Sequence, residues 1–110
     1  MNINVISLFP ELVESSFKGL TGKALRHKIA ELNLINLKQF SKNDYGSVDD
    51  APYGGGEGMV IGIEPLVESL NTIQSPGHVI YLSPQGKVFN QKKAANLSEF
   101  KDLTFVCGRY

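Results

Sequence analysis

Four short runs of β-branched and aromatic residues alternate with stretches of helical periodicity, and this alternation limits the possible folds more than any other feature of the chain. The first run, residues 3–9 (INVISLF), is almost continuously apolar, which is typical of a strand covered on both faces. We therefore expect this strand to be central in a sheet. The other runs predict strands over residues 34–40, 78–83 and 103–108.

Helical signals lie between these runs. Pro10 supplies the fixed φ that suits a helix start, and we expect this first helix to continue until Gly19. Thr21 can cap a second helix that ends at Asn33. Its expected apolar stripe consists of Leu25, Ile29 and Leu32. Two further helices are predicted over residues 65–73 and 90–100.

Strands separated by helices predict an α/β fold with an open, mostly parallel sheet and helices on both faces. The crossovers between parallel strands should be right-handed. Ligands of such sheets bind beyond the carboxyl ends of the strands. The segments SPQG (83–86) and CGRY (107–110) both fall at strand ends in this interpretation, so we expect the ligand site there.

Composition excludes several classes of protein. The 110 residues suffice for one domain with a real core, and no apolar run reaches the roughly 20 residues needed to cross a bilayer. The start of the chain lacks the features of a secretory signal, and a single cysteine offers neither a disulfide nor a zinc site. We expect a cytoplasmic protein without a metal. The formal net charge of zero removes the general electrostatic argument for nucleic acid.

Residues 51–59 (APYGGGEGM) hold four glycines within five positions. A dinucleotide fingerprint would need glycine where Met59 or Ile61 stands, and neither Gly-Lys pair of the chain is followed by Ser or Thr as a Walker loop requires. A flexible surface connection remains one interpretation. The other is a segment in which bare backbone lets a ligand approach closely.

Four motifs in this order and spacing carry a specific resemblance: SLFPE, VDDAPYGGGEGM, VIYLSPQG and FVCGRY. Together they closely resemble the front part of the bacterial tRNA (guanine-N(1)-)-methyltransferase (TrmD) family. The resemblance implies that residues 1–110 are the N-terminal part of a SPOUT-type, trefoil-knot methyltransferase domain, truncated after Tyr110, with the knot-forming segment and a tRNA-gripping domain absent from this chain. It further implies a homodimer.

The activity that the resemblance implies is transfer of a methyl group from S-adenosylmethionine to N1 of the guanosine at tRNA position 37. Guanine N1 carries a proton at neutral pH, so a general base is required. In the family that aspartate lies downstream of the residues present here, and we name no catalytic base. We therefore expect residues 1–110 by themselves not to methylate tRNA.

The resemblance implies site residues at the positions where each motif of this sequence matches the family. The residues that match its first two cofactor contacts are Tyr81, Leu82, Ser83, Pro84, Gln85, Gly86 and Gly108. The residues that match its substrate-facing segments are Asp49, Asp50, Tyr53, Gly54, Gly55, Gly56, Arg109 and Tyr110. Arg109 suits a phosphate and Tyr110 a stacked base. Asp44 and Glu57 are interpreted as solvated turn residues.

Two other functions stay open on the sequence. Another knotted methyltransferase acting on a different RNA nucleotide would keep the cofactor motifs and change the glycine-rich segment. A noncatalytic nucleotide-binding α/β domain would fit the neutral charge and the missing base. Titration with S-adenosylmethionine, NAD and FMN separates these functions.

Overall fold

The computed structural model describes residues 1–40, 49–50, 60–61 and 63–107. Strands and helices alternate along most of this length, as the sequence predicted. In chain order the elements are β1 (Asn2–Ser7), α1 (Pro10–Ser15), α2 (Gly19–Arg26), β2 (Glu31–Asn36), a 3-10 helix (Leu37–Phe40), β3 (Asp49–Asp50), β4 (Val60–Ile61), α3 (Ile63–Asn71), β5 (His78–Leu82), α4 (Gln91–Leu97) and β6 (Asp102–Cys107).

The main sheet has four parallel strands in the order β2-β1-β6-β5. β1 lies between β2 and β6, so the prediction that the first apolar run forms a central strand is confirmed. Its residues Val5 and Ile6 are both buried, because helices cover the two faces of the sheet. β3 and β4 form a separate antiparallel pair, with Asp50 opposite Val60.

The hydrophobic core lies between the sheet and α3. Ile6 and Val106, on neighbouring strands, are 0% and 2% exposed. The apolar positions of α3 recur at helical spacing and therefore face the sheet together. The remaining buried or half-buried members of this core are Leu8, Ile35, Leu37, Leu66, Leu70 and Ile73.

The other helices cover the opposite face of the sheet. Leu34 of β2 lines one cavity with Phe17 and with Leu25 of α2. Toward the other edge of the sheet, Phe105 lines a cleft with Leu97 of α4. The strand register places Leu34 and Phe105 on the same face, because both are paired with Val5. The predicted fold class, a parallel α/β sheet with helices on both faces, is confirmed.

The prediction of a helix from Thr21 to Asn33 was wrong in its second half. α2 ends at Arg26, and Lys28 adopts a left-handed backbone conformation (φ 59°) that interrupts the helix. Ile29 is 70% exposed, whereas Leu32 belongs to β2. The apolar spacing that resembled one stripe therefore belongs to a helix, a turn and a strand.

Other boundaries also differ from the sequence prediction. α1 ends at Ser15 rather than near Gly19, and β2 spans Glu31–Asn36 rather than 34–40. Residues Leu37–Phe40 form the 3-10 helix, in which Leu37 is fully buried against α3. The short strand Asp49–Asp50 was not predicted, since two residues carry no periodic signal.

A row of polar side chains crosses the sheet beside the core. The Asn33 side-chain amide donates to Asn4 Oδ1 (3.3 Å), and Asn4 Nδ2 donates to Thr104 Oγ1 (3.3 Å). Thr104 Oγ1 in turn donates to the carbonyl oxygen of Pro76 (2.7 Å). Asn4 and Thr104 are buried, so these bonds offset the cost of desolvating them. The row fixes the segment that leads into β5.

Gly77 is the last residue of that segment and lies directly against β6. Its φ is +63°, and a Cβ placed on it would overlap the carbonyl oxygen of Asp102 and lie 2.7 Å from the Asp102 carbonyl carbon. Asp102 itself accepts hydrogen bonds from Asn2 Nδ2 (2.9 Å) and Ser75 Oγ (3.1 Å). Glycine is therefore required at position 77 both for its backbone conformation and for space.

Candidate functional site

The candidate site lies at the carboxyl edge of the sheet, where β5 and β6 end side by side. The register pairs Leu82 with Cys107, so the last residues of the two strands are neighbours at this edge. This is the edge at which open α/β sheets bind ligands. The structure therefore brings the predicted residues Tyr81 to Gly86 to one place and sets the end of β6 beside them.

Residues 83–86 form a compact turn. The backbone N–H of Gly86 donates to the carbonyl oxygen of Ser83 (3.1 Å), and the N–H of Gln85 donates to Ser83 Oγ (3.2 Å). Pro84 favours this geometry because its fixed φ suits the second position of a turn. With two of its amide donors used internally, the turn offers carbonyl oxygens and the Gln85 side chain to a ligand.

Gly86 has little room for a side chain. A Cβ at this position would lie 3.3 Å from the Ser83 carbonyl oxygen, which is closer than an ordinary van der Waals contact. Its φ is not in the left-handed region, so the constraint is space rather than backbone strain. Any larger residue here would push against the turn.

A cleft of about 290 Å³ runs from this turn between β5 and α4. Phe105 lies at its base, and the ring of His78 stacks on Phe100 with centroids 4.6 Å apart, close to one end. This volume is near the lower end of the range of small-molecule pockets. The lining residues closest to the turn in sequence are Leu82, Ser83, Gly86, Lys87 and Phe89.

Large apolar side chains around the turn are exposed. Tyr81 is 59% exposed, Leu82 51% and Phe89 67%. Because strand side chains alternate, Tyr81 and Leu82 point to opposite faces of the sheet. Leu82 and Phe89 line the same cleft, and exposed apolar groups that adjoin one another mark a binding surface more often than isolated ones do.

Cys107 lies at the carboxyl end of β6, and its thiol is not activated as a nucleophile. The residue is half-buried at the end of β6, and burial raises the pKa of its thiol. A raised pKa leaves less thiolate at neutral pH, and the thiolate is the nucleophile. The position of Cys107 agrees with the strand that the sequence predicts over residues 103–108.

Of the remaining predicted site residues, the structure describes Asp49 and Asp50. They form β3, in which Asp49 pairs with Ile61 and Asp50 with Val60 of β4. The predicted residues that lie outside the described ones are Tyr53, Gly54, Gly55, Gly56, Gly108, Arg109 and Tyr110. Among the described residues, no cluster of His, Cys, Asp and Glu could hold a metal ion, and no helix there is long and apolar enough to span a membrane.

Sequence reasoning missed the contribution of α4 and the segment before it. Phe89, Lys93 and Leu97 line the cleft, yet none belongs to a recognised motif. The helix itself was predicted, with Asn90 as its start, and the Asn90 side chain does cap it by accepting from the N–H of Lys93 (2.9 Å). The signal that could have found these residues is their spacing on one face of the predicted helix.

Comparison with known proteins extends over the whole chain. A family model described as tRNA (Guanine-1)-methyltransferase TrmD matches residues 1–110. Proteins named tRNA (guanine-N(1)-)-methyltransferase are similar to it: one from Lactobacillus johnsonii is 44% identical over 110 residues, and one from Clostridium kluyveri is 39% identical over 112 residues. Each alignment covers 100% of this chain and 46% of the relative, so the chain spans about half the length of these curated relatives.

A solved structure agrees with these matches. The crystal structure of tRNA (m1G37) methyltransferase from Aquifex aeolicus superposes with a TM-score of 0.85 at 32% sequence identity. The superposition covers 99% of this chain and 51% of that chain.

Proposed function

Because this chain belongs to the tRNA (guanine-1)-methyltransferase TrmD family, we propose that its protein methylates N1 of the guanosine at tRNA position 37, with S-adenosylmethionine as methyl donor. The observation that carries the proposal is the compact turn 83–86, held beside the end of β6 at the carboxyl edge of the sheet. Family membership favours this function over the noncatalytic alternative.

The proposed cofactor site uses the turn and its flanks. The chemistry of the residues fits S-adenosylmethionine: the carbonyl oxygens of the turn suit the exocyclic amine of an adenine, and Leu82 offers apolar surface to its ring. Tyr81 and Gly108 complete the proposed contacts. When bound, the cofactor supplies an electrophilic methyl group on a positively charged sulfur.

The proposed substrate site combines the glycine-rich segment with the end of the chain. Asp49 and Asp50 come directly before the segment that contains Tyr53, Gly54, Gly55 and Gly56, and we propose that these residues face the target nucleotide. Arg109 would hold a phosphate and Tyr110 would stack on a base. The pairing of Asp50 with Val60 supports this proposal, since it holds the residue before the glycine-rich segment beside the residue after it.

The proton on guanine N1 must be removed before the nitrogen can attack the methyl group. The family resemblance places the base beyond Tyr110, so we propose that residues 1–110 are the N-terminal part of the catalytic domain and do not methylate tRNA by themselves. A homodimer and a cytoplasmic location belong to the same proposal.

Calorimetric titration of the chain with S-adenosylmethionine tests the cofactor site. We expect saturable binding that Gly86→Val abolishes, since the larger side chain would push against Ser83. NAD and FMN serve as control ligands, and binding of either in preference to S-adenosylmethionine would refute the proposal.

Incubation with labelled S-adenosylmethionine and unmodified tRNA tests the reaction. We expect methyl incorporation by a protein that extends beyond Tyr110 to the length of the curated relatives, and none by residues 1–110. Comparable incorporation by the 110-residue chain would place the base within it, with Asp49 or Asp50 as the first candidates. Light scattering of the longer protein tests the homodimer.

A further inference from the structure

Charge is unevenly distributed over the chain, although its formal net charge is zero. Residues 69–98 contain no Asp or Glu, but they contain Lys87, Lys92 and Lys93. The carboxylates of α3, on the opposite face of the sheet, contribute to the balance. The zero net charge therefore hides a basic region around α4, besides a second one around α2 that contains Lys18, Lys23, Arg26 and Lys28.

The lysines of α4 occupy an unfavourable place for stability. Lys92 and Lys93 lie in the first turn of the helix, where the helix dipole favours negative charge. Within the described residues, neither of them nor Lys87 forms an ion pair with a carboxylate. α4 also buries none of its residues. Cations that oppose the helix dipole and form no ion pair among these residues fit a role in binding better than a role in folding.

An exposed aromatic ring accompanies these cations. Phe89 is 67% exposed and lies between Lys87 and Lys92 in sequence. Lys87, Phe89 and Lys93 line the same cleft, which continues to Gly86 of the proposed cofactor turn. We refer to Lys87, Phe89, Lys92 and Lys93 as the lysine–phenylalanine surface.

We propose that the lysine–phenylalanine surface binds RNA, with the lysines on backbone phosphates and Phe89 stacked on an unpaired base. The proposal rests on the proposed function for the presence of an RNA substrate, and it names the part of this chain that contacts it. Lysines that neutralise phosphates release bound counterions, and aromatic rings stack on bases of any sequence. The surface adjoins the cofactor turn, so RNA held there would lie next to the methyl donor.

Fluorescence anisotropy of the chain with a labelled RNA stem-loop tests the role of the lysines. Removing three phosphate contacts with Lys87→Gln, Lys92→Gln and Lys93→Gln should reduce the slope of log affinity against log salt by about 2. The matched control replaces Lys18, Lys23 and Lys28, on and around α2, with Gln. It removes the same charge from the basic region around α2, and we expect a smaller loss of slope there, because the lysines around α4 accompany an exposed aromatic ring. Circular dichroism checks that both triple variants are folded.

Phe89→Ala tests the stacking contact separately. We expect roughly tenfold weaker binding to the stem-loop and unchanged binding to a fully paired RNA duplex, which offers no unstacked base. The proposal is overturned by absence of saturable RNA binding to the unsubstituted chain, or by equal losses in the two triple variants.

Titration of the same samples with S-adenosylmethionine separates this proposal from the proposed function. Normal cofactor binding together with unchanged RNA binding in the first triple variant would refute the RNA-binding role of the lysine–phenylalanine surface and leave the proposed cofactor site in place. Absent cofactor binding, with RNA binding lost only in that variant, would refute the cofactor site and support the surface.

Discussion

Replacement of Gly77 by alanine should destabilise the protein far more than replacement of Gly19, although the two glycines share one backbone conformation. Gly77 has φ +63° and Gly19 has φ +62°, and both are exposed. An added Cβ at Gly19 meets nothing within 4 Å, whereas at Gly77 it would overlap the carbonyl group of Asp102. The pair therefore separates the cost of the left-handed conformation from the cost of lost space.

The expected magnitudes follow from these two terms. A left-handed conformation costs an alanine about 1–2 kcal/mol, and the smaller entropy of its unfolded chain returns about 0.4–1 kcal/mol. Both terms apply to Gly19→Ala and Gly77→Ala alike and cancel in their difference. Forced overlap in a packed region costs typically about 1–3 kcal/mol. Gly77→Ala should therefore be less stable than Gly19→Ala by about 2 kcal/mol.

Urea denaturation followed by circular dichroism measures this difference. With a slope of about 2 kcal/mol per molar urea, the midpoint of Gly77→Ala should lie about 1 M below that of Gly19→Ala. Equal midpoints for the two variants would show that β6 moves away from residue 77 without cost, and the assigned packing would then be incorrect.

Three further predictions concern other parts of the molecule. The hydrogen bond from Asn2, together with that from Ser75, lowers the pKa of Asp102. The charged Asp102 should therefore stabilise the fold above its unfolded pKa near 3.8, and this stabilisation should disappear as the pH falls through the lower folded pKa. Urea midpoints measured from pH 5 to pH 2.5 should therefore fall less in Asp102→Asn than in the unsubstituted protein, and parallel curves would contradict this. The thiol of Cys107 should react with iodoacetamide at pH 8 more slowly than free cysteine, because burial raises its pKa, and an equal rate would show that the end of β6 is open to solvent. In a longer protein with methylation activity, Gly55→Val should reduce turnover much more than thermal stability. Lower stability with retained activity would show that the glycines serve only the backbone conformation.

The sequence predicted the sheet well because its strands carry strong local signals. The run around Val5 and Ile6 is too apolar for an exposed edge, and Pro10 begins α1 where its fixed φ predicts a helix start. The parallel arrangement followed from the helices between the strands. These features depend on neighbouring residues, which a single sequence displays directly.

The secondary structure from Thr21 to Asn33 was predicted less accurately, because it depends on contacts with residues that are distant in sequence. Leu32 joins β2 by pairing with Ile3, and Asn33 bonds to Asn4, so tertiary pairing overrides the local helical spacing. The left-handed conformation of Lys28 was also not predictable from the sequence, since lysine carries no preference for that conformation.

The candidate site was predictable at the level of its motif and not at the level of its surroundings. The sequence SPQG displays the turn chemistry of Ser83 to Gly86, and the turn forms as expected. The cleft that α4 adds depends on how a crossover helix lies against β5, which no local signal determines. The helical spacing of Lys93 and Leu97 puts them on one face of α4, but that this face lines a cleft beside β5 emerged only from the structure.

The position of β1 between β2 and β6 has a consequence for the order of events during synthesis. Asn2 is paired with Asp102, and at about 5–20 residues per second a ribosome needs roughly 5–20 s to make the intervening chain. Until β6 is made, β1 can pair only with β2, and its other edge remains open to incorrect partners. Pairings of such long sequence separation also form slowly. Of the two inner strands of the folded sheet, β1 is thus the one that stays incompletely paired for longest while the chain is being made.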